Sequence, residues 1–255
     1  MDAARALAVE RFLEGSFAKK LVRHNPGDGG PGALLSGLGA KLTRASELPA
    51  RPGSLPRESL AGWLTAVPAG EALVELSARR SCGRFALALS ALAAATSSGQ
   101  AAALVDLGDH LDPQGAQSAG VDLTRLLWVR PRRAKEAVAA AEMLLSAGFP
   151  LVVADFGLSP RGARCLPDAA WVRLARAAEA RGAKLLLMTP WRLAGVAART
   201  AVSASFSRPL WQGSGRAPRL LSGLCSRLTL EKDGRARSGL SETLSLPMAG
   251  SLAGS

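Results

Sequence analysis

Apolar residues in this chain cluster into short unbroken runs, and longer stretches of helical spacing separate them. The runs are ALVELS (72–77), AAALVD (101–106), LLWVR (126–130), LVVAD (151–155) and KLLLM (184–188). Brief apolar runs bounded by turn residues predict buried strands. Between them lie ALALSALAAATSSGQ and the stretch 133–147, where Ala137, Ala141, Leu144 and Leu145 share a helical face. A further helix runs to Arg181, with Asp168 as its expected cap. Strands alternating with helices predict an α/β fold, with a mostly parallel sheet flanked on both faces by helices. Later strands are expected over 200–206 and within 220–246. Lys232-Asp233-Gly234 reads as a hairpin turn, so the sheet is expected to end antiparallel at its C-terminal end.

Upstream, the pattern changes. Leu7, Phe12, Phe17 and Leu21 recur at helical intervals and predict an amphipathic helix over 2–22. HNPGDGGPG then breaks the chain as a linker. Residues 33–56 carry scattered Pro, Gly and Ser and suggest no more than a short strand. A short helix is expected near 58–65. The organisation read from this is a helical arm and linker (1–32), an α/β core (33–246) and a disordered tail (247–255).

The strand–loop–helix unit at 72–100 has the layout of a P-loop, a G-x-x-x-x-G-K-S/T loop that cradles phosphate. The loop here is Ala78-Arg79-Arg80-Ser81-Cys82-Gly83-Arg84-Phe85, and only Gly83 fits the motif. Ala78 takes the phosphate-cradling turn less readily than Gly. Arg84 keeps a positive charge but has a broader, planar head than Lys. Phe85 has no oxygen for Mg²⁺. The pattern predicts a nucleotide-binding scaffold without its chemistry and without an ATP or Mg²⁺ cofactor. An ordinary strand–turn–helix and a residual nucleotide binder with Arg84 on phosphate remain alternatives.

Composition adds a sign. The net charge is +12, and residues 156–255 hold 15 Lys and Arg against 5 Asp and Glu, so the basic excess lies in the C-terminal part. That part is the candidate for contact with phosphate or an acidic partner. Arg192, Arg199, Arg208, Arg216 and Arg219 are the candidate DNA-binding residues. The 3 cysteines are far apart in sequence and predict free thiols in a cytoplasmic protein. With 2 histidines and no metal-site spacing, no metal site is expected. No apolar run suits a membrane span or a signal peptide.

Laid out in this order, the chain resembles the ATPase core of the RecA recombinases. Ser81-Cys82-Gly83-Arg84-Phe85-Ala86-Leu87-Ala88-Leu89 is similar to SSGKTTLAL, and Val105–Pro113 (VDLGDHLDP) to IDAEHALDP. Ala119-Gly120-Val121-Asp122 with Leu126-Leu127 is similar to LGVD…LL, and Leu151–Asp155 to the Walker B strand LVVID. The departures fall on functional positions. The resemblance puts Gly108 at the catalytic Glu and Gly115 at the adenine-stacking Tyr, and the strand that ends in Asn-Gln in the family runs Leu187-Met188-Thr189-Pro190-Trp191 here, with no Gln. The first DNA loop is expected to shrink to 159–168 and the second to correspond to 194–215. Nothing resembling RecA's C-terminal domain follows.

A RecA-like core with these losses resembles the ImuA family of SOS mutasome accessory proteins. That resemblance implies a non-catalytic adapter in damage-induced translesion synthesis. Its implied partners are RecA, an inactive Y-family polymerase of the ImuB type and possible single-stranded DNA, at a nucleoid-associated location. Leu7, Phe12, Phe17 and Leu21 would then form a RecA-docking face. The alternatives are a DNA-binding RecA-like repair protein and a cell-division inhibitor of the SulA type.

Overall fold

A computed structural model describes residues 59–66, 72–79, 82–160, 162–213, 219–233 and 239–247. All of them lie in one compact unit, Arg51–Ser255. The expected N-terminal arm, with Leu7, Phe12, Phe17 and Leu21, lies outside the described residues, as do Arg80, Ser81, Arg216 and 248–255.

The described elements are α1 (Leu60–Thr65), β1 (Leu73–Ser77), α2 (Arg84–Ser97), β2 (Ala102–Asp106), α3 (Pro113–Ser118), β3 (Leu126–Val129), α4 (Ala134–Ser146), β4 (Leu151–Asp155), α5 (Asp168–Arg181), β5 (Lys184–Thr189), β6 (Thr200–Gln212), β7 (Leu220–Lys232) and β8 (Ser241–Pro247). The sheet order is β3-β2-β4-β5-β1-β6-β7-β8. Neighbours from β3 through β6 pair in parallel, while β6–β7 and β7–β8 are antiparallel.

Every residue of β1, β2, β4 and β5 is buried, which explains their unbroken apolar runs. Alternate residues feed two cores. Leu76, Leu104, Val153 and Leu186 pack on one face with Leu87, Ala88, Ala91 and Leu92 of α2. Val105, Val152, Leu185 and Leu187 pack on the other with α4 and α5, around Trp171 and Phe156, whose rings meet edge-on at 5.6 Å.

Two local expectations change. Asp168 is the first residue of α5 rather than its cap, which is Pro167 and makes no side-chain bond. An acid in the first turn still favours the helix dipole. Within 194–215, the stretch that the resemblance matches to the second DNA loop, Thr200–Gln212 is β6, which extends the strand expected over 200–206 and pairs with β1 and then with β7. Only the short connection before it remains, and it is pinned on both sides. Buried Glu75 accepts from the backbone N–H groups of Leu193 and Ala194 and from Thr189 Oγ1. Lys232 Nζ donates to the carbonyls of Gly195, Val196 and Ala198.

Candidate functional site

Parallel strands deliver the residues at their carboxyl ends to one edge of the sheet, the place where open α/β sheets bind ligands. Here register places Asp106 of β2 beside Asp155 of β4, and Ser77 of β1 beside Thr189 of β5. The degenerate loop leaves β1 at this edge and enters α2 through Gly83. Its left-handed backbone (φ 82°) makes the turn that starts the helix.

Arg84, the first residue of α2, does not reach outward toward phosphate. Its guanidinium turns into the sheet edge, where Nη2 donates to Asp155 Oδ1 at 3.0 Å. The two side chains are 5% and 0% exposed, so this is a buried ion pair. Burial lowers the Arg84 pKa, and the Asp155 charge pulls it back up. Arg84 Nη1 is buried without a hydrogen-bond partner. Asp155 also accepts from the Gly157 N–H at 2.9 Å and meets His110 Nδ1 at 2.7 Å. Phe85 stands edge-on to the His110 ring, centroids 5.9 Å apart.

Asp106, Asp155 and His110 form a group whose ligand-type atoms lie within 4.8 Å of one another, in principle able to hold a cation. Their oxygens are already engaged. Asp106 accepts from the N–H groups of His110 and Leu111 and from Trp128 Nε1. Asp155 holds Arg84 and Gly157. A metal there would have to displace the guanidinium from the acid.

Gly108, where the resemblance places the catalytic Glu, has no room for a side chain. A Cβ built there would lie 2.9 Å from the Gly157 Cα and 2.6 Å from His110 Cε1. Asp109, the next residue, is turned away from the site. It sits at φ 53° and pairs through both oxygens with Arg130 at 2.8 Å, and Arg130 lies over the Trp128 ring. Gly115 falls within α3, its N–H donating to Asp112, the cap of that helix. A magnesium nucleotide in the Walker arrangement does not fit these residues. Phe85 offers no oxygen, Arg84 is committed to Asp155, and position 108 cannot hold an acid.

The other candidate residues are scattered. Arg199 pairs with Glu179, and Arg192 donates to the Gly195 carbonyl. Arg208 lies nine residues along the same strand direction from Arg199, roughly 30 Å away at about 3.3 Å per residue. Arg219 precedes β7, on the distal part of the hairpin. They do not form one patch. Ala78, Arg79 and Cys82 instead line a cavity of about 440 Å³ with Trp191, Arg192 and Glu231, between the ends of β1, β5 and β6. Arg164, between β4 and α5, stacks over Trp191 at 4.5 Å.

The chain matches the family model for the RecA N-terminal domain over residues 33–162, half of its length. It belongs to the RecA N-terminal domain family. It is 33% identical over 128 residues to the RecA protein of Lactobacillus delbrueckii subsp. bulgaricus, covering 49% of this chain and 37% of that one. It is 38% identical over 90 residues to the RecA protein of Clostridium acetobutylicum, covering 35% and 26%. The match thus spans about a third of those relatives' length. A crystal structure of the RadB recombinase superposes with a TM-score of 0.55 at 17% identity, over 76% of this chain and 95% of that one, which establishes the shared fold. Within this RecA-family core, two features of the site escaped the sequence. His110 lies inside the DHLDP match, but nothing local ties it to Asp155. Leu246 and Ser226 reach the loop from strands more than a hundred residues downstream, and only the sheet order brings them there. No helix among the described residues is long and apolar enough to cross a membrane.

Proposed function

We propose that this RecA-family chain is a non-catalytic adapter in damage-induced mutagenesis. It docks on RecA and on an inactive Y-family polymerase partner of the ImuB type, and uses no ATP or Mg²⁺. The observation that carries the non-catalytic part is the Arg84–Asp155 pair. The residue in the phosphate-binding position is spent internally on the acid in the metal-binding position. Gly108 packed on Gly157 supports it, because the water-activating acid has no space. Losing both the charge neutraliser and the base removes the groups that stabilise the transition state of phosphoryl transfer. A RecA-like surface without turnover then serves as a contact surface, and membership of the RecA family makes RecA itself the first partner to test.

The test uses purified components. The full chain is expected to show no Mg²⁺-dependent ATP turnover above a heat-treated control, with or without single-stranded DNA. It is expected to retain RecA from solution with both nucleotide-free and nucleotide-bound RecA. Turnover that Asp155→Ala abolishes refutes the non-catalytic reading. Failure to retain RecA in either state refutes the docking role.

A further inference from the structure

The loop end that leads into α2 is held by the antiparallel strands at the edge of the sheet, β7 and β8. Leu246 of β8 sits directly on Gly83, its Cδ1 only 2.1 Å from where a Cβ at that position would be. On the neighbouring strand, Ser226 Oγ donates to the Cys82 carbonyl at 2.6 Å. Cys82 Sγ in turn donates to the Ala204 carbonyl of β6 at 3.3 Å. Leu244 and Leu246 both pack on the core beneath α2. The other end of β8 is anchored too. Glu242 accepts from Ser59 Oγ at 3.0 Å and from the N–H groups of Leu60 and Ala61, capping the start of α1. Strand β8 therefore runs as a strap, from the α1 N-terminus to the loop.

We infer that this strap, with the Arg84–Asp155 pair behind it, does for the loop what a bound nucleotide does in a working P-loop. It holds residues 82–84 in one conformation, and it couples that conformation to the edge strand of the sheet. In a phosphate-cradling loop, the backbone N–H groups at the helix start are ordered by an anion. Here the order comes from Leu246 on Gly83, the Ser226 hydroxyl on Cys82, and a guanidinium tied to Asp155. None of these contacts needs a ligand, so the site has one state with or without ATP. The inference deepens the non-catalytic reading by naming what sets the loop in place of nucleotide.

Hydrogen exchange of the full chain tests it, read by mass spectrometry at residues 82–88 and at α5 as an internal reference. Leu246→Val removes the carbon that reaches Gly83 while keeping an apolar β-former, so the fold is retained. Ser226→Ala, which removes the bond to Cys82, is the second variant. The expected result is exchange at 82–88 at least about tenfold faster in both variants, with α5 unchanged and no effect of Mg·ATP on the wild type, as befits a local opening. Unchanged exchange at 82–88 in both variants overturns the strap and leaves the non-catalytic reading to the turnover assay. Slower wild-type exchange with Mg·ATP overturns the substitution of strap for nucleotide.

Discussion

Asp155→Ala separates a structural acid from a catalytic one. The substitution strands the Arg84 guanidinium, which is 5% exposed and has one nitrogen already without a partner. A buried charge deprived of its counter-ion costs about 3–5 kcal/mol. The Gly157 N–H loses its acceptor as well, worth about 1 kcal/mol. For a core of this size each kcal/mol moves the melting temperature by about 2–4 °C, so a fall of roughly 10 °C or more is expected. Arg84→Met leaves Asp155 with Gly157 and His110 and costs less. The double variant Arg84→Met/Asp155→Ala is expected to be more stable than the sum of the singles by about 2–3 kcal/mol, because it removes both charges together. The assay is thermal and urea unfolding followed by circular dichroism. An acid retained to bind metal behaves in the opposite way. It is a strained, repulsive element whose loss leaves stability equal or raised while abolishing activity. A melting temperature for Asp155→Ala within about 2 °C of wild type refutes the reasoning, since on this scale it means under 1 kcal/mol.

Two further predictions concern the same edge. Gly108→Ala forces a Cβ against the Gly157 backbone and the His110 ring and should cost about 1–3 kcal/mol in unfolding experiments. Gly108→Glu, which restores the family's acid, should yield a less stable protein with no gain in ATP turnover. Arg130 holds the exposed Asp109 carboxyl below its ordinary value of 3.8, chiefly through their hydrogen bond. A depressed carboxylate stabilises the fold above its unfolded pKa and loses that contribution as pH falls through the lower folded value. The difference in stability between wild type and Asp109→Asn should therefore be small and constant near neutrality and vanish only below pH 3.8. A difference that persists unchanged well into acid would show that Asp109 acts through something other than its charge.

The fold was legible because buried parallel strands advertise themselves. β4 and α5 end where their apolar runs and turn residues say, and β8 returns antiparallel along β7 as expected, while Gly234 of the expected turn lies outside the described residues. The second half of β6 was harder to see, since the expected strand stops at residue 206 and β6 runs to Gln212. Its Ser, Ala and Arg residues from Thr200 to Gln212 have weak alternation, and bulges between Phe206 and Arg208 and near Leu210 shift the side-chain phase. A residue-by-residue pattern cannot follow such shifts. Short α3 was missed because its Pro113 and Gly115 argue against a helix. It stands on the Asp112 cap instead.

The site was half legible, and the boundary is physical. Sequence shows that Phe85 has no oxygen and Gly108 no carboxylate whatever the fold. It could not say what took their place, since replacement is a matter of contact between distant segments. Arg84 is the clearest example. By charge alone it is a conservative stand-in for Lys, which is why a residual nucleotide binder with Arg84 on phosphate stands among the alternatives. The difference lies in the head group. A guanidinium is broad enough to reach the neighbouring carboxylate with one arm of its fork, Nη2, while Nη1 is left buried without a partner. It is also deprotonated with great difficulty, so even with burial pulling its pKa down it stays a fixed positive charge. A metal is a charge that comes and goes with nucleotide; this one is covalently attached. On the proposed reading the edge of the sheet carries its own cation and Asp155 serves folding through its pair with Arg84, which is what the melting temperature of Asp155→Ala tests.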